Sequence, residues 1–159
     1  FRQASLPAED IPEYGMASVI LLFRDYSGHI FFFFENGKAA RVALSAYQTA
    51  SNRRRLTGAY SDRSPVVQFM VLTEDREIAL YSTEPRALIV NTALMVPKTT
   101  RTTQGVNVLT MKPKYRLDHV CLVEESGIRN LARYRGRNIP AAGALVKEED
   151  SGEEQLTLI

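Results

Sequence analysis

The sequence predicts an all-β protein of propeller-like architecture, built from four-stranded repeats. Two observations carry this: short apolar runs with strand character recur along the chain, and the chain repeats itself at a fixed interval. The runs are SVILLF (18–23), HIFFFF (29–34), AARVAL (39–44), VVQFMVL (66–72), EIALYS (77–82), ALIVNTAL (87–94), GVNVLTM (105–111) and DHVCLVE (118–124). Helix-period patterns are scarce. Turn residues separate several runs: ENGK at 35–38, TEPR at 83–86 and MKPKY at 111–115. Asn-Gly between two apolar runs is a strong hairpin signal, because both residues accept the positive φ of a tight turn.

Shifting the chain by 48 places Ile30 on Ile78, Gly37 on Pro85, Lys38 on Arg86, Val42 on Val90 and Arg53 on Arg101, without a gap. Each unit reads strand, tight turn, basic residue, strand, Arg-bearing loop, glycine, strand, charged turn, strand. Four-stranded repeats of ~40–50 residues mark propeller-like folds. Residues 16–22 match the last strand of a preceding unit, and 126–146 look like the opening of another, incomplete or atypical. The expected organisation is 1–15 as a linker or remnant of a preceding unit, 16–146 as repeats, and 147–159 as an acidic tail. One unit cannot cover both faces of its own sheet, so neighbours stack and equivalent loops fall side by side.

Composition limits the function. The chain has 159 residues, 45% hydrophobic, which suits one folded domain. No run approaches the ~18 apolar residues of a membrane helix, and no signal peptide opens the chain. It begins with Phe, which leads us to expect a piece of a longer protein. A single cysteine, Cys121, excludes an internal disulfide and a multi-cysteine zinc site, and its alternating flanks make it a packing residue. His29 and His119 lie in different repeats without ligand spacing. No phosphate loop, nucleophile elbow or dinucleotide fingerprint is present.

The net charge of +2 conceals an asymmetry. Residues 1–146 hold 19 Lys/Arg against 13 Asp/Glu, while 147–159 hold Lys147 against Glu148, Glu149, Asp150, Glu153 and Glu154. A basic body with an acidic tail points to a polyanionic partner and to a disordered tail that competes for the same surface.

The segment IFFFFENGKAARVALSAYQ, with TTRTTQGVNVLTM, resembles the blade repeat at the C-terminus of the A subunit of bacterial type IIA topoisomerases, DNA gyrase and topoisomerase IV. Arg101, Thr102, Gly105 and Val106 carry that family's Arg-Thr-x-x-Gly-Val segment. The resemblance covers residues 16–146, about two full blades plus flanking strands. It implies a β-pinwheel, a propeller-like disc whose basic outer rim binds and bends duplex DNA. Gyrase carries a Gln-Arg-Arg-Gly-Gly-Lys-Gly box on one such loop. Here the equivalent is Asn52-Arg53-Arg54-Arg55-Leu56-Thr57-Gly58, which keeps the arginine pair and final glycine but not the first residue, the inner glycines or the lysine. That leans the resemblance towards a topoisomerase IV-like subunit or a divergent gyrase-like one.

The resemblance implies a fragment without catalytic residues or cofactors. ATP and Mg would act elsewhere in the parent enzyme, beside the rest of the A subunit and the ATPase B subunit, in the bacterial cytoplasm at the nucleoid. Expected DNA contacts are Asn52, Arg53, Arg54, Arg55, Lys38, Arg41, Arg86, Lys98, Arg101, Lys112 and Lys114 along one track, with hydroxyl support from Thr99, Thr100, Thr102 and Thr103. Arg41 has an alternative role as an edge-strand gatekeeper. The arginines at 129–137 either extend the track or close the disc. With no recognition helix, binding should be sequence-tolerant and favour bendable DNA. Gln155, Leu156, Leu158 and Ile159 resemble the Gln-Leu-x-Leu-Phe peptides that bind the sliding clamp. The rival class is a propeller-type protein-interaction module. An RNA-binding β-domain is disfavoured, because Phe31–Phe34 run too continuously to be an exposed stacking platform.

Overall fold

The computed structural model describes residues 4–7, 27–47 and 60–151. The strand expected at 18–23 lies outside them. The strands are β1 (Ala4–Pro7), β2 (His29–Phe34), β3 (Lys38–Ala43), β4 (Val66–Leu72), β5 (Glu77–Ser82), β6 (Arg86–Asn91), β7 (Pro97–Lys98), β8 (Val106–Asn107), β9 (Leu117–Leu122) and β10 (Ala144–Leu145), with a one-turn helix α1 (Val123–Ser126). They form two sheets. The first runs β1-β4-β2-β3-β7, with β8 also on β3; the second runs β10-β6-β5-β9.

The predicted repeat is the architecture. β2 and β3 of the first unit reappear as β5 and β6, at the predicted interval. Both long pairings bulge at the same place, between Phe33 and Phe34 of β2 against β4 and between Tyr81 and Ser82 of β5 against β9. Asn36–Gly37 makes the first hairpin turn, where Gly37 N donates to Phe34 O at 2.9 Å.

The outer strands are exchanged between units. β7 and β8 follow β6 in the chain but pair with β3, while β10 pairs with β6. Ala39 meets Val106 and Ala87 meets Ala144, so the two crossings are equivalent. Residues 126–146 therefore do not open a new unit with its leading hairpin. They supply the crossing that completes the second sheet. The strands expected over 105–111 and 87–94 are shorter for related reasons: only Val106–Asn107 reach a partner strand, and β6 gives way after Asn91 to a 3-10 turn capped by the Asn91 side chain.

Three cores alternate with the two sheets, which is why the apolar runs are continuous. Phe31 and Phe33 point between the sheets, onto Ile78, Leu80, Leu88, Val90 and Val120. Ile30, Phe32 and Phe34 point the other way, onto Leu44, Tyr47 and Phe69. On the far side of the second sheet, Ala79, Ala87 and Ile89 pack under Ile128 and Tyr134. All four phenylalanines are buried, as the argument against an RNA platform expected.

The segment from α1 to Ser151 thus caps the second sheet. Its lock is Asp150, 4% exposed. Its carboxylate accepts from the Tyr134 hydroxyl at 2.7 Å and from Arg133, and its backbone carbonyl accepts from Arg129 N. The expectation of disorder from residue 147 fails here: Lys147–Ser151 are folded, because the acids have built-in partners. Cys121 is half-buried against this cap, and burial, with Glu125 nearby, pushes its thiol up to about 11.

Candidate nucleic-acid interface

The crossing between the units builds a basic loop. β7 runs parallel to Arg41–Val42 and β8 returns antiparallel to Lys38–Ala39, so residues 99–105 form a loop beyond the end of β3. Gly105 makes the return possible. Its φ is +75°, and a Cβ there would lie 1.9 Å from the Ala39 carbonyl oxygen. Thr103 N donates to Thr100 O at 3.2 Å, and Gly105 N donates to Thr103 Oγ1 at 3.0 Å.

Arg101 sits at the tip of this loop, half-buried. Its guanidinium lies 5.8 Å from the centre of the buried Tyr47 ring. Burial pushes the Tyr47 phenol well above its ordinary value, and the Arg101 charge pulls it back only in part. Thr99, Thr100, Thr102 and Gln104 are exposed around Arg101. The loop therefore offers one oriented cation among hydroxyls and an amide, which suits phosphate oxygens. The second crossing has Gly143 in the place of Gly105 and Ile139 in the place of Arg101, with Arg137 exposed two residues earlier.

The structure distributes the remaining expected contacts differently from a single track. Arg41 is a correction. It is not on an edge strand, since β3 is paired on both sides, and its side chain is 12% exposed. It pairs with Asp75 at 2.9 Å, donates to Thr92 O at 3.0 Å and Met95 O at 3.4 Å, and lies over Phe31. It also faces His29 Nδ1 at 3.3 Å. Burial first, then the Arg41 charge, lower the His29 pKa, while Asp75 opposes them. Arg41 is a clamp between the units, not a rim cation.

Arg86 is likewise engaged, with Glu84 at 3.1 Å and the Gly143 carbonyl at 3.2 Å. Lys112 is exposed and reaches the same Glu84 at 3.6 Å. Lys38, Lys98, Arg101 and Lys114 form no ion pair among the described residues. Lys98 and Arg101 lie towards one end of β3, whereas Lys38, Arg86, Lys112 and Lys114 lie at the other, by the hairpin turns. Of the arginines at 129–137, Arg133 pairs with Asp150 and Glu149, and Arg135 grips Glu77 through two 2.9 Å bonds. They close the structure. The described acids thus neutralise the cap and do not sit on the Arg101 loop.

Asn52, Arg53, Arg54 and Arg55, and the peptide residues Gln155, Leu156, Leu158 and Ile159, lie outside the described residues. His119 stacks on Tyr81 at 4.3 Å and contacts Asp118 at 2.7 Å. The described residues hold no group of three or more His, Cys, Asp or Glu able to bind a metal ion, and no helix among them is long and apolar enough to cross a membrane. Sequence reading passed over Arg63, an exposed cation in the turn before β4 whose only signal was the Ser-Asp-Arg-Ser-Pro turn around it.

Two sheets that exchange outer strands and stack through shared cores define a propeller-like all-β fold of the pinwheel type. No protein-family model matches the chain, and no curated protein matches it. Solved structures do. The chain is similar to the C-terminal domain of DNA topoisomerase IV, with a TM-score of 0.65 and 17% identity over 77% of this chain and 43% of that one. It is similar to the DNA gyrase A C-terminal domain, with a TM-score of 0.53 and 14% identity over 94% of this chain and 61% of that one. The chain therefore has the β-pinwheel fold of these domains and spans less than two thirds of the length of either. The resemblance read from its sequence holds at the level of fold.

Proposed function

We propose that this chain is a DNA-binding fragment of the C-terminal domain of a type IIA topoisomerase A subunit. It binds and bends duplex DNA on its basic outer edge and presents a segment for ATP-dependent strand passage. Chemistry, ATP and Mg belong to the rest of the A subunit and to the ATPase B subunit, and the setting is the bacterial nucleoid. The observation that carries this reading is the Arg101 loop, a guanidinium among exposed hydroxyls held at the outer edge of a β-pinwheel. Contact through the phosphate backbone makes binding sequence-tolerant and steeply salt-dependent. The triplet Arg53–Arg55 aligns with Arg101 and is assigned to the same surface. The peptide Gln155–Ile159 is assigned to a sliding clamp, and lack of binding of that peptide to a clamp from the same organism removes the assignment.

The test is fluorescence anisotropy of a labelled duplex at several salt concentrations. Wild type should give a steep negative log–log slope. Arg53/Arg54/Arg55→Ala should flatten it by up to about 2.7, and Lys98/Arg101→Ala by up to about 1.8, at about 0.9 per phosphate contact. A stop after Ser151 removes the terminal acids without opening the cap. Absence of duplex binding at low salt in that variant overturns the reading. The rival, a protein-interaction module, is favoured by the number of arginines committed to internal ion pairs, and it predicts that absence.

A further inference from the structure

We propose that the hairpin-turn end of the two units forms a second contact for the phosphate backbone of duplex DNA, separate from the Arg101 loop. The proposal rests on the DNA-binding reading above and adds a second surface to it.

Four chain segments meet at this end and are tied by backbone hydrogen bonds. Glu35 N donates to Pro65 O at 2.8 Å, Leu117 N to Glu35 O at 3.0 Å, and Thr83 N to Arg116 O at 2.9 Å. Asn36 N donates to the Ser64 hydroxyl at 3.2 Å, and Arg116 N to the Thr83 hydroxyl at 3.1 Å. The platform is therefore continuous across both sheets. Arg63, Lys114 and Arg116 project from it, exposed, and Lys38 stands half-buried at its edge. None of the four has an ion pair among the described residues. One acid of the same end is already engaged, Glu84 with Arg86 and Lys112. Glu35, Asp62 and Asp118 remain, the last in contact with the His119 ring, so four unpaired cations face three carboxylates.

The opposite end of the strands shows the contrast. There Arg41, Arg76 and Arg135 are each tied to acids: Asp75, Glu74 with Glu124, and Glu77. The turn end thus keeps four cations unpaired beside the Arg86 and Lys112 pairs with Glu84, whereas the arginines of the opposite end, the Arg101 loop apart, are tied to acids. A protein partner calls for an apolar anchor as well as charge. Of the two large exposed hydrophobics among the described residues, Val96 lies before β7 and only Leu145, which pairs with Arg86, stands near this end. A cleft of about 470 Å³ between Pro65–Gln68 and Arg116–His119 is polar, with Glu35, Arg116 and Asp118 in its wall. Rigid, spaced cations with so little exposed apolar surface beside them fit a regular line of phosphates.

The experiment uses the full chain and the same labelled duplex. Arg63→Gln/Lys114→Gln/Arg116→Gln should flatten the log–log salt slope by up to about 2.7. The loop variant Lys98→Gln/Arg101→Gln should flatten it independently, and the combined variant should show both losses. Unchanged melting confirms that each protein is folded, as expected for exposed positions. If the triple variant keeps the wild-type slope while the loop variant flattens it, the second surface is refuted and the DNA-binding reading survives. If the triple variant keeps the wild-type duplex slope but loses binding to poly-glutamate, the surface serves an acidic protein, and the proposal is refuted. If the wild type shows no salt-dependent duplex binding, both fall together.

Discussion

Replacing Arg41 with Met separates a clamp from a DNA contact. Met keeps much of the apolar stem and removes the guanidinium. The Thr92 and Met95 carbonyls then lose their donor, each worth about 1 kcal/mol net, with a further cost for any carbonyl left buried. The Asp75 ion pair adds under about 1 kcal/mol, because Asp75 is 41% exposed and solvent screens it. The stack on Phe31 adds about 0.5–1 kcal/mol. The buried Arg41 Nε has no partner, so the wild-type side chain carries a penalty of its own that trims the loss. The expected cost is about 3 kcal/mol, which lowers the melting temperature by about 6–12 °C in a domain of this size. Arg41→Lys should fall between, since an ammonium reaches Asp75 but cannot fork across two carbonyls. Differential scanning calorimetry reads the melting, and anisotropy reads the duplex salt slope. A melting temperature within 1 °C of wild type, at about the ~0.3 kcal/mol level, together with a flattened slope, refutes the clamp and restores Arg41 to the DNA surface.

Gly105→Ala should destabilise by about 2 kcal/mol or more, because the left-handed backbone alone costs about 1–2 kcal/mol and the new Cβ meets the Ala39 carbonyl; urea unfolding checks this. The unfolded chain takes up a proton at His29 before the folded chain does, because burial and then the Arg41 charge hold the folded pKa below 6.5 while Asp75 opposes them. Stability should therefore be full above about pH 6.5 and decline as the pH falls towards the folded value, a slope that His29→Gln flattens in melts between about pH 5 and 7. Asp150→Ala removes the shared acceptor of Arg133 and Tyr134, and hydrogen exchange should show lost protection over 128–151 with β2 and β4 unchanged.

The long strands were legible because burial on both faces leaves continuous apolar runs, and β4 and β5 carry the residue bounds read from the sequence. The exchange of outer strands was not legible. Strands of two residues, such as β8 and β10, have no periodicity to read, and their partners lie in another unit. Gly105 and Gly143 mark both crossings, but Ile139 and Pro140 replace the arginine and threonine that made the first one recognisable. The cap was misjudged because composition counts charges without their partners. Glu149 and Asp150 read as solvated acid until Arg133 and Tyr134 are brought beside them.

The same blindness to partners explains the division among the arginines. A basic body in the sequence reads as one polyanion surface, yet Arg41, Arg76, Arg133 and Arg135 each meet an acid from a different element. Arg41–Asp75 ties β3 of the first unit to the turn before β5, Arg135–Glu77 ties the cap to β5, and Arg76–Glu124 ties the turn before β5 to α1. Such pairs hold the second sheet to its cap and to the first unit, and once formed they offer no free cation to a phosphate. On the DNA-binding reading, the charge available to a duplex is what remains after this stapling, the Arg101 loop at the outer edge and the unpaired cations of the turn end among it. The salt slope of binding should follow that remainder and fall well short of the total of lysines and arginines, because only a cation that displaces a counterion from DNA contributes to it.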